Sequence, residues 1–251
     1  MRILGLIQAR MGSKRLPGKV LAELDGRPLI FALLDRLRWS KRVDSFVVAT
    51  TVLPEDDALV EVLRGKGFQV FRGHPIDVLD RFYKAASLLE ANYIVRITAD
   101  NPLTDPGLMD EAVMTALVKR ADYVSFVNLP LGVYPEVVSF KALERAYKEA
   151  KAPYQREHVT PYINESPDKF NLIFLETDLG LGCDGLRLTV DYPEDLELMR
   201  IVFKEMMKKR GRWGIKEVLE FLRSNSGLLL LNRHLSQKSK FEVDEGWGRD
   251  G

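Results

Sequence analysis

The first half of the chain alternates short apolar runs with segments whose apolar residues recur at helical spacing. The first run, Ile3-Leu4-Gly5-Leu6-Ile7, has no polar alternation, which is typical of a strand buried on both faces. This alternation predicts an α/β fold with an open, doubly wound and mostly parallel sheet. The strands are predicted at residues 3–7, 44–50, 68–71, 93–98 and 122–127, and the helices at 28–39, 54–65, 76–89 and 106–119.

The pattern becomes less regular after Asn128. We expect a main domain over residues 1–223, with a small α+β insert at about 129–180, and then a tail over 224–251. Residues 237–251 are polar enough to form a mobile tail. The elements predicted in this part are strands at 136–139 and 186–190 and helices at 140–150, 153–164, 193–209 and 215–222.

The segment after the first strand is rich in cations and contains no acid. Gly12 and Gly18 would allow backbone N–H groups to turn inward, and Pro17 fixes the bend. We therefore expect a phosphate-binding loop, with a solvated basic surface as the alternative. Its cations are Arg10, Lys14, Arg15 and Lys19.

This loop differs from a Walker A motif. Five residues separate its two glycines, and Val20, which has no hydroxyl, follows Lys19. Any Mg²⁺ must therefore be held by carboxylates elsewhere in the chain.

Two aspartates follow predicted strands. Asp100 comes just after the strand at 93–98, and Asp191 follows the strand at 186–190. Ligands of doubly wound sheets bind beyond the carboxyl ends of strands, so two acids placed there are suited to hold Mg²⁺ against a triphosphate. Each also has a structural alternative, because Asp100 precedes a turn at Asn101-Pro102 and Asp191 precedes the helix start at Pro193.

Several segments carry a family resemblance. Residues 7–19, Ile-Gln-Ala-Arg-Met-Gly-Ser-Lys-Arg-Leu-Pro-Gly-Lys, resemble the opening signature of the cytidylyltransferases that activate acidic sugars. The similarity is to the spore coat polysaccharide biosynthesis protein F group, related to the CMP-Kdo and CMP-sialate (acylneuraminate) synthetases. It continues through Ala49-Thr50-Thr51, Arg96-Ile97-Thr98-Ala99-Asp100-Asn101-Pro102-Leu103, Arg156-Glu157-His158-Val159-Thr160-Pro161-Tyr162 and Leu188-Thr189-Val190-Asp191-Tyr192-Pro193-Glu194-Asp195-Leu196.

The resemblance implies a Rossmann-like sheet of the nucleotide-diphospho-sugar transferase type and a Mg²⁺-dependent transfer of CMP from CTP to an acidic sugar or related acceptor. It also implies a homodimer, and an insert that serves acceptor and dimer contacts. The implied catalytic residues are Arg10, Lys19 and Asp100, with Asp100 and Asp191 as metal ligands. The implied nucleotide-binding residues are Ala9, Arg10, Gly12, Ser13, Arg15, Lys19, Thr50, Gly73 and Thr98, and the implied substrate-binding residues are Arg81, Arg156 and His158.

Some of these residues have plainer alternatives. Arg81 follows Asp80 and is equally compatible with ion pairing on a helix surface. A single histidine such as His158 is commonly an ordinary hydrogen-bonded residue.

Composition limits the classes of partner. The net charge of +1 and pI near 7.8 give no broad basic field, so we expect no nucleic-acid partner. No apolar run is long enough for a membrane span or a secretory signal, and Cys183 is the single cysteine, which excludes an internal disulfide. The cytoplasm is the expected compartment.

Three competing interpretations arise at the level of sequence, and two of them stay open. The first is a glycosyltransferase or other nucleotidyltransferase of similar topology, and the second is a nucleotide-binding protein without turnover. A third comes from residues 180–185, which satisfy G-x-G-x-x-G. A strand-like run follows that motif instead of a helix, so we interpret it as a loop and not as a dinucleotide site.

Overall fold

The computed structural model describes residues 1–180, 185–209, 211–239 and 241–243. The strands are β1 (Ile3–Gln8), β2 (Glu23–Leu24), β3 (Arg27–Pro28), β4 (Ser45–Thr51), β5 (Gln69–Gly73), β6 (Tyr93–Thr98), β7 (Tyr123–Phe126), β8 (Glu136–Ser139) and β9 (Leu172–Leu175). The helices are α1 (Leu29–Leu37), α2 (Asp57–Gly65), α3 (Val78–Leu88), α4 (Pro106–Lys119), α5 (Phe140–Glu149), α6 (Pro153–His158), α7 (Pro161–Asn164), α8 (Pro193–Met206) and α9 (Ile215–Ser224). None of the described helices is long and apolar enough to cross a membrane.

The centre of the fold is a sheet with the strand order β5-β4-β1-β6-β8-β7-β9. Strands β5, β4, β1 and β6 run parallel, whereas β8 runs antiparallel to both of its neighbours. The predicted doubly wound, mostly parallel sheet is therefore confirmed. The antiparallel strand belongs to the predicted insert.

Both faces of the sheet are covered by helices. Ile3 and Ile7 pack into one core with α1, α2, α4, α8 and α9, while Leu4 and Leu6 pack into a second core with α3, α5 and α7. Gly5 lies opposite Phe46 of β4, and the Phe46 ring occupies the space that a Cβ at position 5 would need. The apolar run that opens the chain thus forms a central strand buried on both faces.

Three parts of the predicted pattern differ in the structure. Residues 186–190 are buried but form no strand; Leu131 and Arg187 make an isolated parallel bridge, in which the Leu188 N–H donates to the Leu131 carbonyl at 2.8 Å. The alternation of apolar residues there therefore reflects burial and not pairing in a β-sheet. Strand β9 and the hairpin of β2 and β3 are additions that no strand prediction covered.

Two sequence interpretations fall largely outside the described residues. Most of the G-x-G-x-x-G segment and Cys183 lie in residues 181–184, and the end of the predicted mobile tail lies in residues 244–251. The described part of that tail lies against the rest of the protein, as shown below.

Candidate functional site

A cleft of about 690 Å³ opens at the carboxyl ends of the central parallel strands. Gln8 ends β1 and Thr98 ends β6, and both line the cleft. This is the position at which doubly wound sheets bind their ligands. The loop after β1, the turn after β6, parts of the insert and residues near the C-terminus form its walls.

At one end of the cleft, Lys19 joins the two predicted metal ligands. Its Nζ lies 2.8 Å from Asp100 Oδ2, 2.8 Å from Asp191 Oδ1 and 2.8 Å from the Val190 carbonyl oxygen. Burial lowers the pKa of Lys19, but Asp100 and Asp191 together outweigh burial and raise it above the usual value. Burial raises the pKa of Asp100, and Lys19 more than offsets this, so the Asp100 pKa is lowered. Lys19 and Asp100 are therefore both ionised at neutral pH.

Asp191 is shared among three cations. Besides Lys19, Arg15 Nη2 lies 2.8 Å from its Oδ1 and Arg187 Nη2 lies 2.9 Å from its Oδ2. The carboxylate of Asp195 accepts from the Asp191 and Tyr192 backbone N–H groups, at 2.9 and 3.0 Å. Asp195 therefore supports the start of α8, and the structural alternative for Asp191, a helix cap, does not describe its contacts.

The oxygen atoms around Lys19 are a candidate metal site. Two carboxylates and one carbonyl converge on a single cationic atom, and oxygen ligands are those that Mg²⁺ prefers. Within the described residues, no group of three or more His, Cys, Asp or Glu side chains could hold a metal. The donor set therefore fits a cation held by two carboxylates that also has other ligands, such as substrate phosphates and water.

The cationic loop after β1 is held in shape by its own backbone and by Asp56. Gly18 has a φ of +70°, and its N–H donates to the Met11 carbonyl at 3.0 Å. The Met11 N–H donates to the buried Asp56 carboxylate at 2.7 Å. The Gly18 N–H is thus used inside the loop, and the cations Arg10, Lys14, Arg15 and Lys19 line the cleft.

Another part of the cleft wall is built by the insert around Glu136. The carboxylate of Glu136 accepts from Tyr123 Oη at 2.5 Å and from Thr160 Oγ1 at 2.8 Å, and it pairs with Arg96. Burial and then Glu136 raise the pKa of Tyr123 well above its usual value, so this hydroxyl remains a donor. Glu136 is consequently a fixed, fully bonded carboxylate in the wall of the cleft.

The structure brings most of the predicted site residues together. The cleft is lined by Ala9, Arg10, Ser13, Arg15, Lys19, Thr98, Asp100, His158 and Asp191. Gly12, Thr50 and Gly73 lie outside its lining: Thr50 is fully buried, and Gly12 sits so close to Glu55 that a Cβ would collide with that carboxylate. Their nucleotide-binding roles stay predictions without support from this geometry.

Two predicted substrate ligands also lie outside the lining. Arg156 donates from Nε to Asp77 Oδ2 at 2.6 Å, and Asp77 caps the start of α3, so this arginine ties α6 to α3. Arg81 is buried, and burial, with a contribution from Arg10, lowers its pKa to about 10. The alternative ion pair between Asp80 and Arg81 is not formed, because Asp80 pairs with Lys84 at 2.9 Å.

Sequence reasoning missed several residues of the cleft. Arg187 offered one signal, a charge inside the apolar run 186–190. Residues near the C-terminus offered none, because their composition resembles that of a solvated tail. The missed lining residues include Arg96, Gly132, Tyr134, Glu136, Thr160, Thr189, Gln237, Lys238, Ser239 and Glu242.

Comparisons with known proteins agree with this geometry. Residues 4–210 match the family model described as Cytidylyltransferase. The spore coat polysaccharide biosynthesis protein SpsF of Bacillus subtilis is 38% identical over 208 residues, which cover 81% of this chain and 87% of the relative. The 3-deoxy-manno-octulosonate cytidylyltransferase of Geobacter sulfurreducens is 36% identical over 116 residues, 45% of this chain and 44% of that protein.

A solved structure extends the match to three dimensions. The cytidylyltransferase from Leptospira borgpetersenii superposes with a TM-score of 0.84 at 29% sequence identity, over 95% of this chain and 100% of that chain. The family model covers most of the chain, including the cationic loop and both aspartates that meet at Lys19. This chain therefore belongs to the cytidylyltransferase family and is a nucleotidyltransferase.

Proposed function

We propose that the protein transfers CMP from CTP to a hydroxyl of an acidic sugar or related acceptor, with Mg²⁺, in the biosynthesis of a surface polysaccharide. The acceptor oxygen forms a bond to the α-phosphorus of CTP, and the bond from that phosphorus to the bridging oxygen breaks. Pyrophosphate leaves with the electron pair, and the hydroxyl proton passes to solvent. The observation that carries the proposal is the meeting of the cationic loop with Asp100 and Asp191 at the carboxyl edge of the sheet.

The loop supplies charge for the triphosphate. Arg10 and Lys14 line the cleft beside Arg15 and Lys19, on a loop that Asp56 holds in place. Cations fixed before the reaction stabilise the charge that grows on the leaving pyrophosphate without reorganisation. Arg10 and Lys19 are proposed as the phosphate ligands.

Asp100 and Asp191 are proposed to hold Mg²⁺. When bound, the ion would neutralise phosphate charge as a Lewis acid. In the structure Lys19 occupies the position between the two carboxylates, so a metal ligand role requires its Nζ to move toward the phosphates. Such a movement would place the ammonium at its proposed phosphate contact.

The insert is proposed to hold the acceptor. Tyr134, Glu136 and His158 line the same cleft as the cationic loop, and all three belong to residues 129–180. An acidic acceptor is supported by the names of related proteins, among them the 3-deoxy-manno-octulosonate cytidylyltransferase. A glycosyltransferase is disfavoured because Asp100 is followed by Asn101-Pro102 instead of completing Asp-x-Asp.

The first test is pyrophosphate release from each of the four nucleoside triphosphates with Mg²⁺. The acceptor panel contains 3-deoxy-manno-octulosonate, N-acetylneuraminate and sugar 1-phosphates. We expect release with CTP that depends on one acidic acceptor. Binding of CTP without release from any acceptor would instead favour a nucleotide-binding protein without turnover, and release with a sugar 1-phosphate alone would overturn the acidic acceptor.

The variant Asp100→Asn tests the assigned chemistry. We expect kcat to fall by about a hundred- to a thousandfold, as when one stabilising contact of a transition state is removed. Glu61→Gln is the matched control, because Glu61 is exposed on α2 and outside the cleft. Turnover of Asp100→Asn close to that of the control would remove Asp100 from the mechanism.

A further inference from the structure

The chain near its C-terminus crosses the cleft. We name residues 232–239 and 241–243 the C-terminal strap. Four of its residues line the cleft: Gln237, Lys238, Ser239 and Glu242. These residues lie beyond position 210, where the match to the family model ends. The strap therefore reaches the functional site from outside the domain that the family model matches.

One end of the strap is fixed to the cluster that contains Asp191. Asn232 is buried, and its Nδ2 donates to the Arg187 carbonyl at 3.0 Å and to Asp195 Oδ1 at 2.9 Å. The Arg187 guanidinium, which pairs with Asp191 and Asp195, donates from Nη1 to Gln237 Oε1 at 2.6 Å. Arg187 thus connects a proposed metal ligand directly to the strap.

The other end of the strap rests on the insert. The Phe241 ring meets the Tyr154 ring edge to face, with centroids 5.0 Å apart. Tyr154 lies on α6, the helix that also carries Glu157 and His158 into the cleft lining. The strap consequently runs from the Asp191 cluster to α6 of the insert.

Lys238 is the cation that the strap adds to the cleft. Arg15 and Lys19 pair with Asp191, and Arg96 pairs with Glu136. Lys238 lines the cleft and is exposed, and no hydrogen bond or ion pair joins it to the described residues. Its ammonium group is available to an anionic ligand in a way that Arg15, Lys19 and Arg96 are not.

We propose that the C-terminal strap is a wall of the acceptor site and that Lys238 binds the anionic group of the acceptor, an inference that rests on the proposed function. In this arrangement the shared domain binds the nucleotide, and the strap adds acceptor specificity. The competing explanation is a tail that packs on the surface and takes no part in the reaction. The first explanation predicts that changes in the strap raise the KM for the acceptor, and the second predicts that they change neither KM.

Steady-state kinetics of Lys238→Ala make the first test, with the acceptor of the panel that supports pyrophosphate release. We expect the KM for that acceptor to rise about ten- to a hundredfold, the usual effect of losing one charge-assisted hydrogen bond, while the KM for CTP stays within about twofold. Lys238→Arg should restore most of the affinity. Lys216→Ala is the control, since Lys216 is exposed on α9 and outside the cleft. An unchanged acceptor KM would overturn the role of Lys238.

Amide hydrogen exchange on the full-length protein, without any ligand, tests the wall itself. The double variant Gln237→Ala with Phe241→Ala removes one contact at each end of the strap. We expect faster exchange in peptides from the strap and from α6, with no change in β1 or β6. Exchange in the strap equal to that of the wild type would overturn the wall.

The outcomes of these two tests can be distinguished from a failure of the proposed function. If no acidic acceptor of the panel reacts, the proposed acceptor class is wrong, and the role of Lys238 falls with it. The exchange measurement still decides whether the strap packs against Arg187 and α6 as a wall of the cleft. If an acidic acceptor reacts and its KM is the same in Lys238→Ala, the proposed function stands and the role of Lys238 is refuted.

Discussion

Replacing Lys19 by methionine would remove the cation that joins Asp100 to Asp191 while keeping an unbranched side chain that is one atom shorter. Lys19 makes three contacts of 2.8 Å, and its side chain is 10% exposed. Removing one partner of a buried ion pair typically costs about 3–5 kcal/mol, because the other charge stays buried. Asp191 keeps Arg15 and Arg187, and the Asp100 side chain is 26% exposed, so we expect the lower end, about 3 kcal/mol.

Thermal unfolding measures this cost. For a chain of this size each kcal/mol lowers Tm by roughly 2–4 °C, so Lys19→Met should melt about 6–12 °C below the wild type. A divalent cation can occupy the space between the two carboxylates once the ammonium is gone. Adding Mg²⁺ without nucleotide should therefore raise the Tm of Lys19→Met more than that of the wild type.

Two results would refute the reasoning. A Tm of Lys19→Met within a degree or two of the wild type would show that the pairing contributes little, in the manner of surface ion pairs. An equal response of both proteins to Mg²⁺ would show that Lys19 and the metal do not share a position. Lys66→Met is the control, because Lys66 is exposed at the end of α2 and lies outside the cleft.

Two further predictions concern the same region. Gly132→Ala should lower the free energy of unfolding by about 1–3 kcal/mol or more, since Gly132 has a φ of +95° and a Cβ would lie 2.7 Å from the Leu188 backbone. Gly227→Ala is the control and should melt near the wild type, because no atom lies within 4 Å of the added Cβ. Equal Tm values for the two variants would contradict the argument. The Tm difference between wild type and Lys19→Met should also depend on pH. The Tm difference should be complete between about pH 4 and pH 10, the ordinary pKa values of Asp and Lys in the unfolded chain. It should shrink as the pH falls through the lowered pKa of Asp100, and also as the pH rises through the raised pKa of Lys19. A difference that shrinks between pH 5 and 9 would assign the effect to other groups.

The sequence predicted the central sheet well because local signals and burial agree there. Strand β6 and helix α4 begin and end at the predicted residues, since β6 is an apolar run and α4 has Pro106 in its first turn with Asp105 as its cap. The position of the site also followed from the sequence. An acid that follows a strand lies at the carboxyl edge of a parallel sheet, as Asp100 does after β6; Asp191 reaches the same edge although residues 186–190 form no strand.

The parts that could not be predicted depend on contacts between distant residues. Arg156 is 79 positions from Asp77, and nothing local indicates that these two side chains pair. The antiparallel entry of β8 between β6 and β7 is likewise decided by tertiary packing. Gln237 is polar and exposed, so composition favours a mobile tail. Its side chain nevertheless accepts a hydrogen bond from Arg187, which lies 50 residues earlier in the chain.

Charge balance explains how one cluster can serve both a lysine and a metal. Around Asp191, the cations Lys19, Arg15 and Arg187 face the carboxylates of Asp100, Asp191 and Asp195, so the cluster is close to neutral. A neutral cluster attracts a free divalent ion weakly, whereas a nucleoside triphosphate brings its own negative charge and offers Lys19 a second anionic partner. Movement of Lys19 from the carboxylates to the phosphates would then free two metal ligands at the moment the phosphates arrive. We therefore expect the nucleotide and the metal to bind together. The same contacts predict a weak response of the wild type to Mg²⁺ alone and a stronger response of Lys19→Met.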